Sequence, residues 1–179
     1  MGLDFSGADM SGGEFSESWF TDAKLTHVNL SKANLYRADL QGADLSGANL
    51  ASASLVRAKL DDAVLRGATF DAAEFVKASL YGVDASGASF RGARVMGASF
   101  LDVIICGGDL TEAVAQENSF QVRIDDGTIL SGFSGSIFGP IEFFGEGGVR
   151  EVGGDELERW IRERGGNVRV FPPKRESGS

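Results

Sequence analysis

Residue types that do chemistry are sparse in this chain. His27 is its one histidine and Cys106 its one cysteine. A zinc-type site needs three or four such ligands, so neither residue has company for a metal, and His27 reads as a solvated outer position. Cys106 has no partner for an intramolecular disulfide, so nothing implies an oxidising compartment. It stands beside Gly107 and Gly108, with no basic neighbour in sequence to draw out a reactive thiolate. The glycines around Gly145, Gly147 and Gly148 lack both the lysine of a phosphate loop and a strand–glycine–helix context. No carboxylate pair and no nucleophile–base arrangement stands out. The expectation is a protein that is not an enzyme and needs no cofactor.

Charge narrows the remaining roles. The 179 residues carry a net charge of −9, which disfavours direct nucleic-acid binding, because phosphate contacts need clustered Lys and Arg. An acidic surface can instead compete with nucleic acid for a basic partner. No apolar run approaches the ~20 residues needed to span a bilayer. The start, Met1-Gly2-Leu3-Asp4-Phe5, lacks a basic segment followed by an apolar one. A cytoplasmic protein without a membrane partner is expected.

The elements that position these residues follow from one periodicity. Every fifth residue from Phe5 to Phe120 is apolar, and 19 of these 24 are Leu or Phe. The residue two earlier is Ala in 16 of the 24 units, as at Ala33, Ala38, Ala43 and Ala48. The residue between is small and polar or acidic, and the following two favour Ser, Gly and charged types. In, out, in over three residues is strand geometry. Two further residues must then turn the chain, since a helix needs a period near 3.6 and a plain strand a period of 2. A chain that runs straight, turns and repeats winds into a solenoid.

Units such as Ala33-Asn34-Leu35-Tyr36-Arg37 and Ala43-Asp44-Leu45-Ser46-Gly47 resemble the pentapeptide-repeat family. The resemblance covers residues 3–120. It implies an all-β fold, a right-handed quadrilateral parallel β-helix with four repeats per coil, here about six coils.

With four units per coil, residues twenty apart stack in columns. One column carries Tyr36, Val56, Val76 and Met96, the next Arg37, Arg57 and Lys77, with Arg94 on the same face. Stacked like charges beside an apolar column are not required by the fold. They read as a docking stripe for an acidic protein partner or for the chain's own C-terminal segment, or as long stems covering apolar neighbours. The neighbouring face is acidic, with Asp22, Asp39, Asp61, Asp62 and Asp102 against Lys59. An acidic rod resembles the duplex-mimicking members of the family that bind bacterial DNA gyrase and protect it from quinolones. The plainer reading is that Asp is a usual residue beside the central Leu. Trp19 takes an outward slot from which it could cover the first coils.

Register fails after Phe120, because the next central slot is Asp125, a charge that an apolar axis does not tolerate. Residues 121–171 are expected to form a small α+β segment. Strands are expected at 121–124 and 137–144, a turn at Gly145–Gly148 leads into 149–152, and a final strand spans 167–171. The intervening helix would be capped by Asp155 with Glu158 as the box partner. Its apolar face, Leu157, Trp160 and Ile161, would cap the rod or join two rods in a homodimer, so that the protein is a monomer or a C-terminal dimer. Residues 172–179 are expected to be a disordered tail.

Overall fold

The computed structural model describes residues 3–145 and 147–172. Each unit places Ala and the central Leu or Phe inward, and Leu25 through Leu65 at five-residue steps are fully buried. The two residues that follow form a reverse turn. In one of them the Val28 amide donates to the Leu25 carbonyl at 3.2 Å, and the third residue, His27, has φ 55°. A positive φ at that position marks a type II turn. The same sign recurs at every fifth residue over most of the chain, with Gly at about half of these sites and polar or charged residues at most others.

Turned this way, the chain meets itself twenty residues later. Asp4, Lys24, Asp44, Val64, Asp84 and Ile104 form one continuous ladder of parallel bridges. Three more ladders run through Asp9/Asn29/Asn49, Glu14/Asn34/Ser54 and Trp19/Asp39/Lys59. Each rung is held by paired bonds such as Leu25 N to Asp44 O at 2.7 Å and Asp44 N to Ala23 O at 3.0 Å. A parallel sheet thus curls round an axis filled first by leucines and then by rings. Phe70 stacks on Phe90 at 5.2 Å and the series runs on through Phe75, Phe100, Phe120 and Phe133. These rings fill the stretch in which the central residues shrink to Ala85 and Ala115.

Towards the C-terminus the bridges lengthen into named strands: β1 (Arg94–Met96), β2 (Ser99–Ile104) and β3 (Val114–Asp125). The register change takes the form of a one-residue slip: Leu101 faces Gln121 but Val103 faces Val122. The slip puts Ile124 on the axis at 4% exposure and leaves Asp125 half-buried outside it. There the Asp125 carboxylate accepts from the Gly107 amide at 2.8 Å. Parallel pairing continues past Phe120, from β3 to β4 (Ser134–Phe138) and to β5 (Ile141–Gly145).

The chain then leaves the ladder. β6 (Gly148–Val152) returns antiparallel to β5, α1 (Gly154–Glu163) crosses, and β7 (Asn167–Phe171) pairs parallel with β4. Leu157 and Ile161 of α1 are buried, and Trp160 packs edge-on against Phe143 at 5.3 Å. The expected capping box does not form. Gly153 is the N-cap, without a side-chain bond, while Asp155 and Glu156 occupy the first turn, where the helix dipole favours them. Glu158 is used elsewhere: it accepts from the Val170 amide at 2.9 Å. Of the expected tail, residues 173–179 lie outside the described residues.

Candidate interaction surface

The turn units set side chains on corners between ladders, and two corners flank the ladder of Trp19, Asp39, Lys59, Ser79 and Ser99. On one side lie the stripe residues. Tyr36, Val56, Val76 and Met96 are half-buried at the first turn position, while Arg37, Arg57 and Lys77 are exposed at the second with φ 54–59°. Arg37 pairs with Glu17 at 3.3 Å and lies 5.2 Å from the Tyr36 ring centre. Lys59 reaches Asp39 at 4.0 Å. Arg57 and Lys77 meet no carboxylate among the described residues. Stacked at the ~4.8 Å strand spacing, two such charges repel by about 1 kcal/mol even in water. Arg37, Arg57, Lys59 and Lys77 wall an open trough of about 460 Å3.

Arg94 stands apart from this trough. It lies on the adjacent ladder opposite Glu74, with which it pairs at 3.5 Å, and its guanidinium reaches the Met96 sulfur at 3.9 Å. The column above Lys77 continues as Gly97 and Glu117, so the stripe is basic over three rungs only. Among the described residues, the chain's own C-terminal segment does not cover it. The strand pairs and hydrogen bonds that tie residues 148–171 to the rest of the chain go to residues 126–145.

Across the ladder, Asp22, Asp62 and Asp102 share one corner column, alternating with Gly42 and Gly82. A Cβ on either glycine would lie against the carboxylate one rung before it, so each Asp leans over a neighbour that has no side chain. Asp102 pairs with Arg123 at 3.0 Å, and Arg123 also reaches Glu142 at 2.7 Å. Asp39 lies on the ladder itself. Asp61 is tied into the structure: it accepts from Ser79 Oγ, from the Tyr81 amide at 2.9 Å and from Gln41 Nε2 at 3.2 Å. The five acids are therefore three on a column, one on the ladder and one serving as a structural acceptor.

Two residues add to the surface beyond that reading. Trp19 is 84% exposed, so its ring covers little of the rod and stands free beside Asp39. Lys59, which the sequence suggests only as a counter-charge to the acids, walls the basic trough. Its place two residues after Arg57 was the available signal. His27 is exposed, and burial pushes the half-buried Cys106 thiol up, with Asp125 and Asp84 adding to the effect. A thiol held protonated is a poor nucleophile. Among the described residues no group of three His, Cys, Asp or Glu converges to hold a metal. No helix among the described residues is long and apolar enough to cross a membrane.

The pentapeptide-repeat model matches residues 29–67 and 63–102, with eight copies. No curated protein matches the chain in sequence. Among solved structures, a pentapeptide repeat protein of the cyanobacterium Cyanothece superposes with a TM-score of 0.56 at 23% identity, covering 70% of this chain and 89% of that one. HetL, a pentapeptide repeat protein involved in heterocyst differentiation regulation in the cyanobacterium Nostoc, gives a TM-score of 0.41 at 20% identity over 97% of this chain and 84% of its own. A trypsin-treated form of QnrB1, a plasmid-mediated fluoroquinolone resistance protein, gives 0.38 at 16% identity over 97% and 92%. With residues 29–102 matched by the family model and the fold shared with a solved member, the chain carries pentapeptide repeats.

Proposed function

We propose that the chain is a non-enzymatic interaction module, a right-handed quadrilateral rod of about six coils that docks a protein partner along the ladder of Trp19, Asp39 and Lys59. The observation that carries this reading is the pair Arg57 and Lys77, stacked on neighbouring rungs of an acidic protein with no carboxylate to meet either among the described residues. Nothing in the fold needs these cations there, since the turn position they occupy is filled by Gly97 one rung on. Exposed Trp19, half-buried Tyr36 and exposed Arg57 are of the types that dominate binding energy at interfaces. The helix and strands of residues 148–171 act in this reading as the cap of the rod, with Leu157, Trp160 and Ile161 turned inward.

The test compares wild-type protein with a Val56→Asp/Arg57→Glu double variant in affinity capture from cells, with thermal denaturation as the fold control. Loss of specific capture at unchanged stability supports docking at this face. Unchanged capture removes it.

A second reading is favoured by the Asp22/Asp62/Asp102 column, whose carboxylates recur every second rung along one corner. In that reading the corner imitates a nucleic-acid backbone and engages bacterial DNA gyrase. Purified protein would then alter supercoiling by gyrase in the presence of a quinolone, and Asp22→Lys/Asp62→Lys would abolish the effect. No change at micromolar protein rules this reading out.

A further inference from the structure

We infer that the trough walled by Arg37, Arg57, Lys59 and Lys77 is a phosphoryl-binding site whose occupant is a phosphorylated segment of a partner protein. This rests on the interaction-module reading and adds the chemistry of the partner. Two of the four cations are already matched, Arg37 by Glu17 and Lys59 by Asp39. Arg57 and Lys77 leave the trough with two uncompensated positive charges. A phosphate monoester near neutral pH carries about −1.5 to −2 and offers three strong acceptor oxygens. It meets both charges at one point.

Carboxylates match the site less well. A single Asp or Glu brings one charge and two oxygens. A row of them on an extended chain recurs about every 6.8 Å on one side, whereas the cations recur at the ~4.8 Å strand spacing. One dianion held between two neighbouring rungs fits that spacing better than a row of monoanions. Arg57 presents a planar fork for two phosphate oxygens, and Lys77 a compact point charge.

The flanks of the trough suit a peptide. Half-buried Val56 and Val76 precede Arg57 and Lys77 in their turns, and Tyr36 takes the same place one rung away. Arg66, Arg91, Arg94, Arg123, Arg150 and Arg164 do not compete, because each faces a carboxylate at 2.6–3.5 Å, and Arg159, Arg162 and Arg169 lie outside the trough. A polyphosphate chain is disfavoured by Asp22, Asp61 and Asp62 across the ladder, whereas a single phosphoryl group stays clear of them.

The experiment is fluorescence polarisation with the full chain and a short labelled peptide of valine and glycine around one phosphoserine. Parallel arms use the glutamate and unmodified serine versions, and inorganic phosphate as competitor. The expected result is saturable binding of the phosphopeptide, at least about tenfold weaker for the glutamate peptide. Arg57→Gln and Lys77→Gln should each weaken binding about tenfold, while Arg91→Gln changes nothing. Both trough residues are exposed, so these variants fold. Equal binding of the phosphoserine and glutamate peptides overturns the phosphoryl assignment and leaves the interaction module standing. Binding that survives Arg57→Gln combined with Lys77→Gln overturns the location. No phosphopeptide binding, or inorganic phosphate bound as tightly as the peptide, overturns the phosphorylated-segment occupant even where cellular capture still depends on Arg57.

Discussion

The carboxylate of Glu158 on α1 accepts a hydrogen bond from the backbone amide of Val170 on β7 at 2.9 Å. β7 ends the sheet, in the order β6-β5-β3-β4-β7. Alternate amides of such a strand point away from its one partner and would template pairing with another chain. Glu158 occupies one of those amides, and α1 lies over the same strand with Leu157 buried. A helix residue thus occupies an amide on the open side of the last strand in this sheet.

Glu158→Ala removes the acceptor from a partly buried amide. We expect a loss of about 1–2 kcal/mol, read as a lower urea midpoint. Asp155→Ala, at the position where a cap was expected, should cost only a few tenths, because it makes no capping bond. Equal losses in the two variants would refute the assignment.

How much of this was legible depends on the residue. The central series and the inward alanines are a spacing, and a spacing is printed in the sequence itself, as is the stripe from Tyr36 to Lys77. The slip between Leu101 and Val103 has no such signature, because it depends on which neighbour the chain meets twenty residues away. Glu158 misled for a related reason. Its position satisfies the local capping pattern, but Val170 offers a bond with no local signature. The trough became visible only when Lys59, two residues from Arg57 in sequence, proved to share a wall with it.

Asn118 is fully buried at a slot where most units hold Ala. Its Oδ1 accepts from the Ala98 amide and its Nδ2 donates to the Val95 carbonyl, both at 2.8 Å. In the preceding unit the equivalent groups bond each other directly, Ala93 N to Phe90 O at 3.0 Å. The side-chain amide is therefore inserted into a turn. Asn118→Ala restores the repeat pattern but strands two buried backbone groups at about 1–3 kcal/mol each, so a total loss of about 2–6 kcal/mol is expected in chemical denaturation.

Ala72 and Ser52 sit at turn positions with φ 56° and 59°. An L-residue there costs about 1–2 kcal/mol, while Gly avoids the clash but loses more backbone entropy on folding. The clash outweighs the entropy. Ala72→Gly should therefore stabilise by about 0.5–1 kcal/mol, raising the urea midpoint at constant slope. Ala73→Gly, one residue on at a buried position without positive φ, should destabilise.

Asp61 and Asp62 are adjacent acids with different duties. Asp61 accepts three hydrogen bonds from neighbouring rungs, so Asp61→Ala should cost about 1–3 kcal/mol. Asp62→Asn keeps a residue tolerant of positive φ and should leave stability within about 0.5 kcal/mol. Charge reversal meant to probe binding belongs at Asp62 and Asp22, since reversal at Asp61 confounds binding with folding.

Acid should weaken the rod through Asp84 and Asp109. Burial pushes both carboxyls up, but Ser86 and Arg66 around Asp84, and Thr111 and Arg91 around Asp109, together outweigh it. Both therefore lie below the ordinary value of 3.8. A carboxyl that holds its proton less tightly when folded adds stability above the unfolded value, and that stability fades as pH falls through the folded one. Urea midpoints should thus decline below about pH 4. Asp84→Asn with Asp109→Asn should lower stability at neutral pH and flatten that decline. High salt should imitate only part of the change, because the arginines are exposed and screened while the Ser86 and Thr111 bonds are not. A double variant with the wild-type acid profile would place the acid-sensitive groups elsewhere in the rod.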